Sequence, residues 1–156
     1  STSIAGLSEI LDHVLYRCKG NLVPISTEIT LLENYIDLEK LRYDERLKVN
    51  FSHSIDQDLD IAPLILLSVV ENAFKHGVEP SQSACSVELS LTVEHGWLHM
   101  RCCNSMPEGV RNAAAGVGQE NLRRRLSLLY AGKHSFDTTQ QAGRWCTELT
   151  LELEPC

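Results

Sequence analysis

Asn72, Lys75 and His76 lie close together in the stretch 63–77, PLILLSVVENAFKHG. A helix turns by about 100° per residue, so with Asn72 at the centre of a face, Ser68, Lys75 and His76 fall within about 60° of it. Pro63, Leu66, Leu67, Val70 and Phe74 take the opposite side. One face can then bury apolar bulk while the other presents an amide, a hydroxyl, an ammonium and an imidazole. The Asn carbonyl is an oxygen donor of the kind Mg²⁺ requires. The Lys ammonium can neutralise phosphate as a point charge. A solvated polar face on an ordinary amphipathic helix is the competing reading of the same spacing.

A second segment, 116–130, reads GVGQENLRRRLSLLY. Gly116 and Gly118 let a backbone approach a ligand closely, and the helix that follows offers unpaired N–H groups to phosphate. Alone, a G-x-G is also a plain flexible loop. Leu122, Leu126 and Leu129 form this helix's apolar stripe. Arg123 and Arg124 lie off it, facing solvent or phosphate, while Arg125 sits at its edge and suggests a structural ion pair. The two segments together read as two halves of a nucleotide site.

The elements that must position these residues are legible in the pattern. Ile4, Leu7, Ile10 or Leu11, Val14 and Leu15 have helical spacing, ended by Lys19-Gly20-Asn21. Ser26 is a candidate N-cap, with Glu28 in the first turn favouring the dipole of a helix that runs to about residue 46. Ile29, Leu32, Ile36 and Tyr43 make its buried stripe. Val49 and Phe51 mark a short strand, and 56–60 is a polar loop. Val87, Leu89, Leu91 and Val93 alternate as a half-buried strand over 85–94, and 97–103 pairs back across a His95-Gly96 turn. Residues 105–115 read as a loop and 119–130 as a helix. Strands over 135–139 and 145–153 close the chain. Helices mixed with hairpin-linked strands predict an α+β two-layer α/β sandwich, its sheet mixed but mostly antiparallel, with helices on one face.

The totals set bounds. A chain of 156 residues suits one domain with a real core. A net charge of −7 argues against nucleic acid or an anionic membrane as a partner, so phosphate binding must come from local geometry. There are 6 cysteines but no C-x-x-C, and Cys102 and Cys103 are adjacent, so reduced thiols are expected. His95, His99, Cys102 and Cys103 cluster near a hairpin, but His99 and Cys103 share a strand face that Cys102 does not, which makes a poor metal set. No G-x-S-x-G elbow is present. No long apolar run or signal peptide is visible, and without an initiator Met the sequence reads as a piece of a longer protein.

The order P-x-x-L-L-x-x-V-E-N-A-F-K-H-G, a strand hairpin ending near Asn104, then G-x-G-x-E-N-L-R-R-R-L-x-L-L-Y resembles LytS-type sensor histidine kinases. Residues 28–46, EITLLENYIDLEKLRYDER, are similar to the segment that precedes the ATP site in that family. The resemblance covers nearly the whole chain. It implies a GHKL-type (Bergerat) ATP-binding catalytic domain, holding ATP and Mg²⁺ between a helix layer and a mobile lid. Asn72 matches the N-box asparagine, the metal ligand. Glu71 matches the acidic residue before it, and these two are the candidate catalytic residues. Lys75 and His76 match positions lining the phosphates and ribose. Asn104 stands at the adenine-binding position, and Gly116 and Gly118 match the second glycine box. Ser68 shares the N-box face.

Some positions depart from the pattern. Asn104 replaces the usual aspartate, Met106 stands where a glycine is expected, and Gln119 follows Gly118 where Leu is more usual. An Asn carbonyl accepts a hydrogen bond less strongly than a carboxylate. The family's phosphoacceptor pattern, P-H-F-x-x-N-x-L-N, is absent, and His13 lacks its neighbours. Residues 1–22 resemble the end of the dimerisation helix, and 23–156 the catalytic domain. The resemblance thus implies phosphotransfer from ATP to a histidine upstream, then to a response regulator. It further implies a homodimer in the full-length protein and a cytoplasmic placement below an inner-membrane sensor region. A nucleotide-binding signalling module without phosphotransfer is the alternative.

Overall fold

The computed structural model describes residues 22–81, 83–106 and 117–153. In chain order these form β1 (Val23–Pro24), α1 (Ile25–Tyr43), β2 (Leu47–Ile55), β3 (Asp60–Ile61), α2 (Ile65–Ala73), β4 (Cys85–Glu94), β5 (Trp97–Ser105), α3 (Val117–Leu129), β6 (His134–Gln141) and β7 (Arg144–Glu152). Five strands make one sheet in the order β2-β4-β5-β7-β6. β2 pairs with β4 in parallel, and every other neighbour in that sheet is antiparallel. β1 and β3 form a separate small antiparallel pair. This is the α+β two-layer sandwich with the mixed, mostly antiparallel sheet that the pattern predicts.

Alternation decides which face of the sheet is covered. Val87, Leu89, Leu91 and Val93 of β4 are buried, as are Leu98, Met100 and Cys102 of β5 and Leu149 and Leu151 of β7. Their alternate neighbours, among them Glu88, Ser90, His99, Arg101 and Glu148, lie on the open face. Ile29, Leu32 and Ile36 of α1, Leu66 and Val70 of α2, and Leu122 and Leu126 of α3 join the same core. Positive-φ residues make both tight hairpins: His95 and Gly96 between β4 and β5, Ala142 and Gly143 between β6 and β7.

Several local expectations change. α1 begins at Ile25, so Ser26 lies inside it, and the Ser26 N–H and hydroxyl both donate to the Asp58 carboxylate. Glu28 is buried and accepts from the Leu64 N–H at 2.8 Å, so it braces the start of α2 as well as standing in the first turn of α1. Leu64 has φ 65, a left-handed conformation costly for a branched residue. Leu129 is 53% exposed, and Tyr130 takes its expected place inside, its hydroxyl accepting from the Ala62 N–H at 2.8 Å. Arg125 makes no ion pair among the described residues; it donates to the Pro63 carbonyl at 2.8 Å. Both contacts fix α3 against the approach to α2.

The thiol expectation is corrected at one pair. Cys103 and Cys146 form a disulfide. They are direct partners across the β5–β7 ladder, with Cα atoms 4.1 Å apart, and sequence spacing alone could not reveal that register. Cys85 and Cys102 are free and buried. Burial pushes the Cys102 thiol up to about 12, which keeps it protonated and inert. No group of His, Cys, Asp or Glu suited to a metal occurs among the described residues.

Candidate functional site

The chemistry-bearing face of α2 does not continue as a regular helix. α2 ends at Ala73 and passes into a π-helical turn, Phe74–Val78. The Glu79 N–H reaches back five residues to the Phe74 carbonyl at 2.9 Å. Such turns widen the helix by a residue and recur at functional sites. Lys75 and His76 therefore sit on the widened turn, and their direction relative to Asn72 differs from the regular-helix expectation.

The irregular turn also makes a close backbone approach. A Cβ built on Gly77 would lie 2.7 Å from the Ser105 carbonyl oxygen and would overlap the Asn104 side chain. Only glycine lets this turn rest on the end of β5. Beside it, the His76 ring stacks on Trp145, with centroids 5.7 Å apart and planes at 27°. Trp145 on β7 is the cross-strand partner of Asn104 on β5. Gly77, His76, Asn104 and Trp145 thus converge where the π turn meets the sheet.

Asn104 is fully buried. Its Nδ2 donates to the Ser105 carbonyl at 3.1 Å, while its Oδ1 has no partner among the described residues. A buried acceptor left unpaired is costly and fits a donor supplied by a ligand. Gln119, in the first turn of α3, carries a second buried oxygen of this kind.

The remaining predicted residues divide by surroundings. Asn72 is half-buried and Lys75 exposed. Ser68 gives its hydroxyl proton to the Leu64 carbonyl at 2.9 Å, so it braces α2 and retains only acceptor capacity. Burial, reinforced by the Lys75 charge, holds the His76 pKa below the usual histidine value and favours the neutral ring. Glu71 is exposed as a residue, yet partial desolvation of its carboxyl raises its pKa. Its charge lies near Tyr35 and Glu39 and disfavours ionisation of both. Tyr35 in turn packs edge-on against Phe74, joining α1 to the π turn. Gly118 lies in α3. Gly116, His13, residues 1–21 and the expected lid lie outside the described residues. Arg123 is not a free cation: it lies over the Phe136 ring and donates to the Phe136 carbonyl.

The sequence reading missed Gly77 and Trp145. Gly77 was hidden as a helix end. Trp145 was visible only as an inward position in an alternating strand.

A family model for histidine kinase matches residues 1–47. The sensor protein kinase HptS of Staphylococcus aureus (strain USA300) is 24% identical over 138 residues, 88% of this chain. The chain spans about a quarter of the length of the curated relatives it matches. Among solved structures, the nucleotide-free catalytic domain of the histidine kinase ThkA matches with a TM-score of 0.60 at 10% identity, over 87% of this chain and 98% of that one. Full-length ShkA in complex with AMPPNP matches with a TM-score of 0.62 at 18% identity, over 96% of this chain and 36% of that one. The fold is that of histidine kinase catalytic domains.

Proposed function

We propose that this chain is the ATP-binding catalytic domain of a LytS-type sensor histidine kinase, transferring the γ-phosphate of ATP to a histidine upstream of it in the whole protein. The observation that carries this reading is the buried, unpartnered Oδ1 of Asn104 under the Gly77 approach, in a fold shared with histidine kinase catalytic domains. An adenine amino group is a donor of the kind that oxygen lacks. The AMPPNP bound by ShkA, which has this fold, supports the same class of ligand.

In this reading Asn72 would hold Mg²⁺ through its side-chain oxygen. The ion, when bound, neutralises phosphate charge and orients the phosphoryl group for in-line transfer. Lys75 would add a positive charge toward the phosphates. His76, kept neutral and stacked on Trp145, offers a ring face and a nitrogen to the ribose or phosphate end. Gly116 and Gly118 would lead the phosphates to the start of α3. Glu71, with its raised pKa, is a general-base candidate for the proton of the attacking imidazole. The imidazole itself, a response regulator and a second protomer belong to the whole protein. Placement on the cytoplasmic side of an inner membrane belongs to it too; no described helix is long and apolar enough to cross a membrane.

Calorimetric titration with MgADP, beside Asn72→Ala, tests the site. Binding that needs magnesium and weakens by at least about tenfold in the variant is expected, because the metal loses a direct ligand. No binding to the folded wild-type chain would sink the reading. Adding a phosphoacceptor helix in trans then separates a kinase, which labels histidine, from a module that only binds.

A further inference from the structure

The Cys103–Cys146 pair lies on the open face of the sheet, one residue away from the Asn104–Trp145 pair on the covered face. The two sulfurs differ. Cys103 is 1% exposed, whereas Cys146 is half-buried and reachable from solvent. The Arg101 guanidinium donates toward the Cys146 Sγ at 3.8 Å and also pairs with Glu148 at 3.3 Å. Also on this face, Arg144 and Glu88 pair with each other at 2.9 Å, and exposed Asp137 on β6 stands opposite Glu148; Glu88 is the β4 neighbour of Cys103. A cation beside one thiol favours its thiolate, and a buried second thiol at ladder distance is placed to resolve it.

We propose that Cys103 and Cys146 form a reversible redox-modification site for hydroperoxides and dithiols, with Cys146 the reacting sulfur, Cys103 the resolving one and Arg101 the activating charge. In oxidation, the Cys146 thiolate attacks the terminal peroxide oxygen and the O–O bond breaks. The departing alkoxide or hydroxide takes a proton, and Cys146 becomes a sulfenic acid. The Cys103 sulfur then attacks Cys146, the S–S bond forms and water leaves. Two electrons pass from the thiol pair to the peroxide. In reduction, a dithiol's thiolate attacks the accessible Cys146 Sγ and Cys103 leaves and is protonated. The second thiol of the reductant then frees Cys146. Because the bond ties β5 to β7 directly behind Asn104 and Trp145, its state also bears on how that pair is held. That last step rests on the nucleotide reading above.

The test uses the full chain, cycled between dithiothreitol and hydrogen peroxide, with residue-resolved mass spectrometry after pulsed alkylation. The pair should open and reclose. The reduced Cys146 should alkylate about tenfold faster than Cys103, and Arg101→Gln should slow Cys146 by about threefold at neutral pH. A pair that never recloses, equal alkylation rates, or no effect of Arg101→Gln would overturn the site. Trp145 emission, read in Trp97→Phe, should change between the two forms, and MgADP affinity should differ by at least about threefold, as for coupled neighbours. Unchanged emission and equal affinities would overturn the coupling. If neither form binds MgADP while thiols and emission respond, the redox site stands and the nucleotide reading fails.

Discussion

Truncating Asn104 to Ala separates a ligand group from a structural one. In the free domain the side chain is fully buried, with Oδ1 unpartnered among the described residues and Nδ2 bonded to Ser105. An unpaired buried acceptor costs about 1–3 kcal/mol, and an ordinary hydrogen bond contributes about 0.5–1.5 kcal/mol. Truncation removes both, along with a little packing, so the terms largely cancel. The expected change in unfolding free energy is within about 1 kcal/mol, a shift in Tm of under about 4 °C for a chain this size. A buried side chain that supports its fold costs about 2–5 kcal/mol when cut to Ala. The assay is thermal unfolding with and without MgATP. At a ligand concentration of 100 times Kd the wild type should gain about 2.7 kcal/mol, or about 5–10 °C. Asn104→Ala should lose most of that gain while melting near the wild-type temperature without ligand. A free variant melting more than about 8 °C lower would mean that Asn104 is a strut whose carbonyl is satisfied. A full ligand shift in the variant would mean that this carbonyl is not the adenine acceptor.

Other outcomes follow from single contacts. Gly77→Ala should destabilise by about 1–3 kcal/mol, the usual cost of overpacking, because its Cβ would meet the Ser105 carbonyl at 2.7 Å; chemical denaturation checks this, and nucleotide affinity should fall with it. Tyr130→Phe should cost about 1–3 kcal/mol by leaving the buried Ala62 N–H without its 2.8 Å partner. The His76 pKa is depressed, so the unfolded chain takes up a proton first as pH falls. Stability from this group is therefore full above the ordinary value of 6.5 and lost as pH falls through the folded pKa. In Trp97→Phe, Trp145 emission should titrate with a midpoint below 6.5, and His76→Gln should abolish that transition.

The fold was readable because its signals are local. β4 alternates over its whole length, and the Ile29, Leu32, Ile36 stripe is buried as its spacing predicts. The residues proposed for the site could be picked out by type, but their geometry could not. Nothing in ENAFKHG announces a π turn, or that Gly77 packs against the end of β5, a contact between residues far apart in sequence. The Cys103–Cys146 bond was illegible for the same reason, since it depends on the β5–β7 register, which the pattern of either strand alone leaves open. Glu28 looked like a helix-dipole residue and turned out to hold the start of α2, because its carboxylate meets the Leu64 N–H across 36 residues of sequence.

These non-local contacts share a direction: each holds the α2 end of the site against something rigid. Glu28 and Arg125 grip Leu64 and Pro63 before α2, and Tyr130 grips Ala62. At the far end Gly77 rests on β5, and His76 rests on Trp145. Asn72 lies between two fixed ends, which suits a group that must offer one oxygen in a set direction. On the α1 side, Glu39, Glu71 and Glu79 concentrate negative charge around Tyr35. A polyphosphate approaching a chain of net charge −7 meets repulsion there. Lys75 carries a single positive charge, so under the proposed function a divalent cation held by Asn72 would relieve the repulsion that Lys75 offsets only in part.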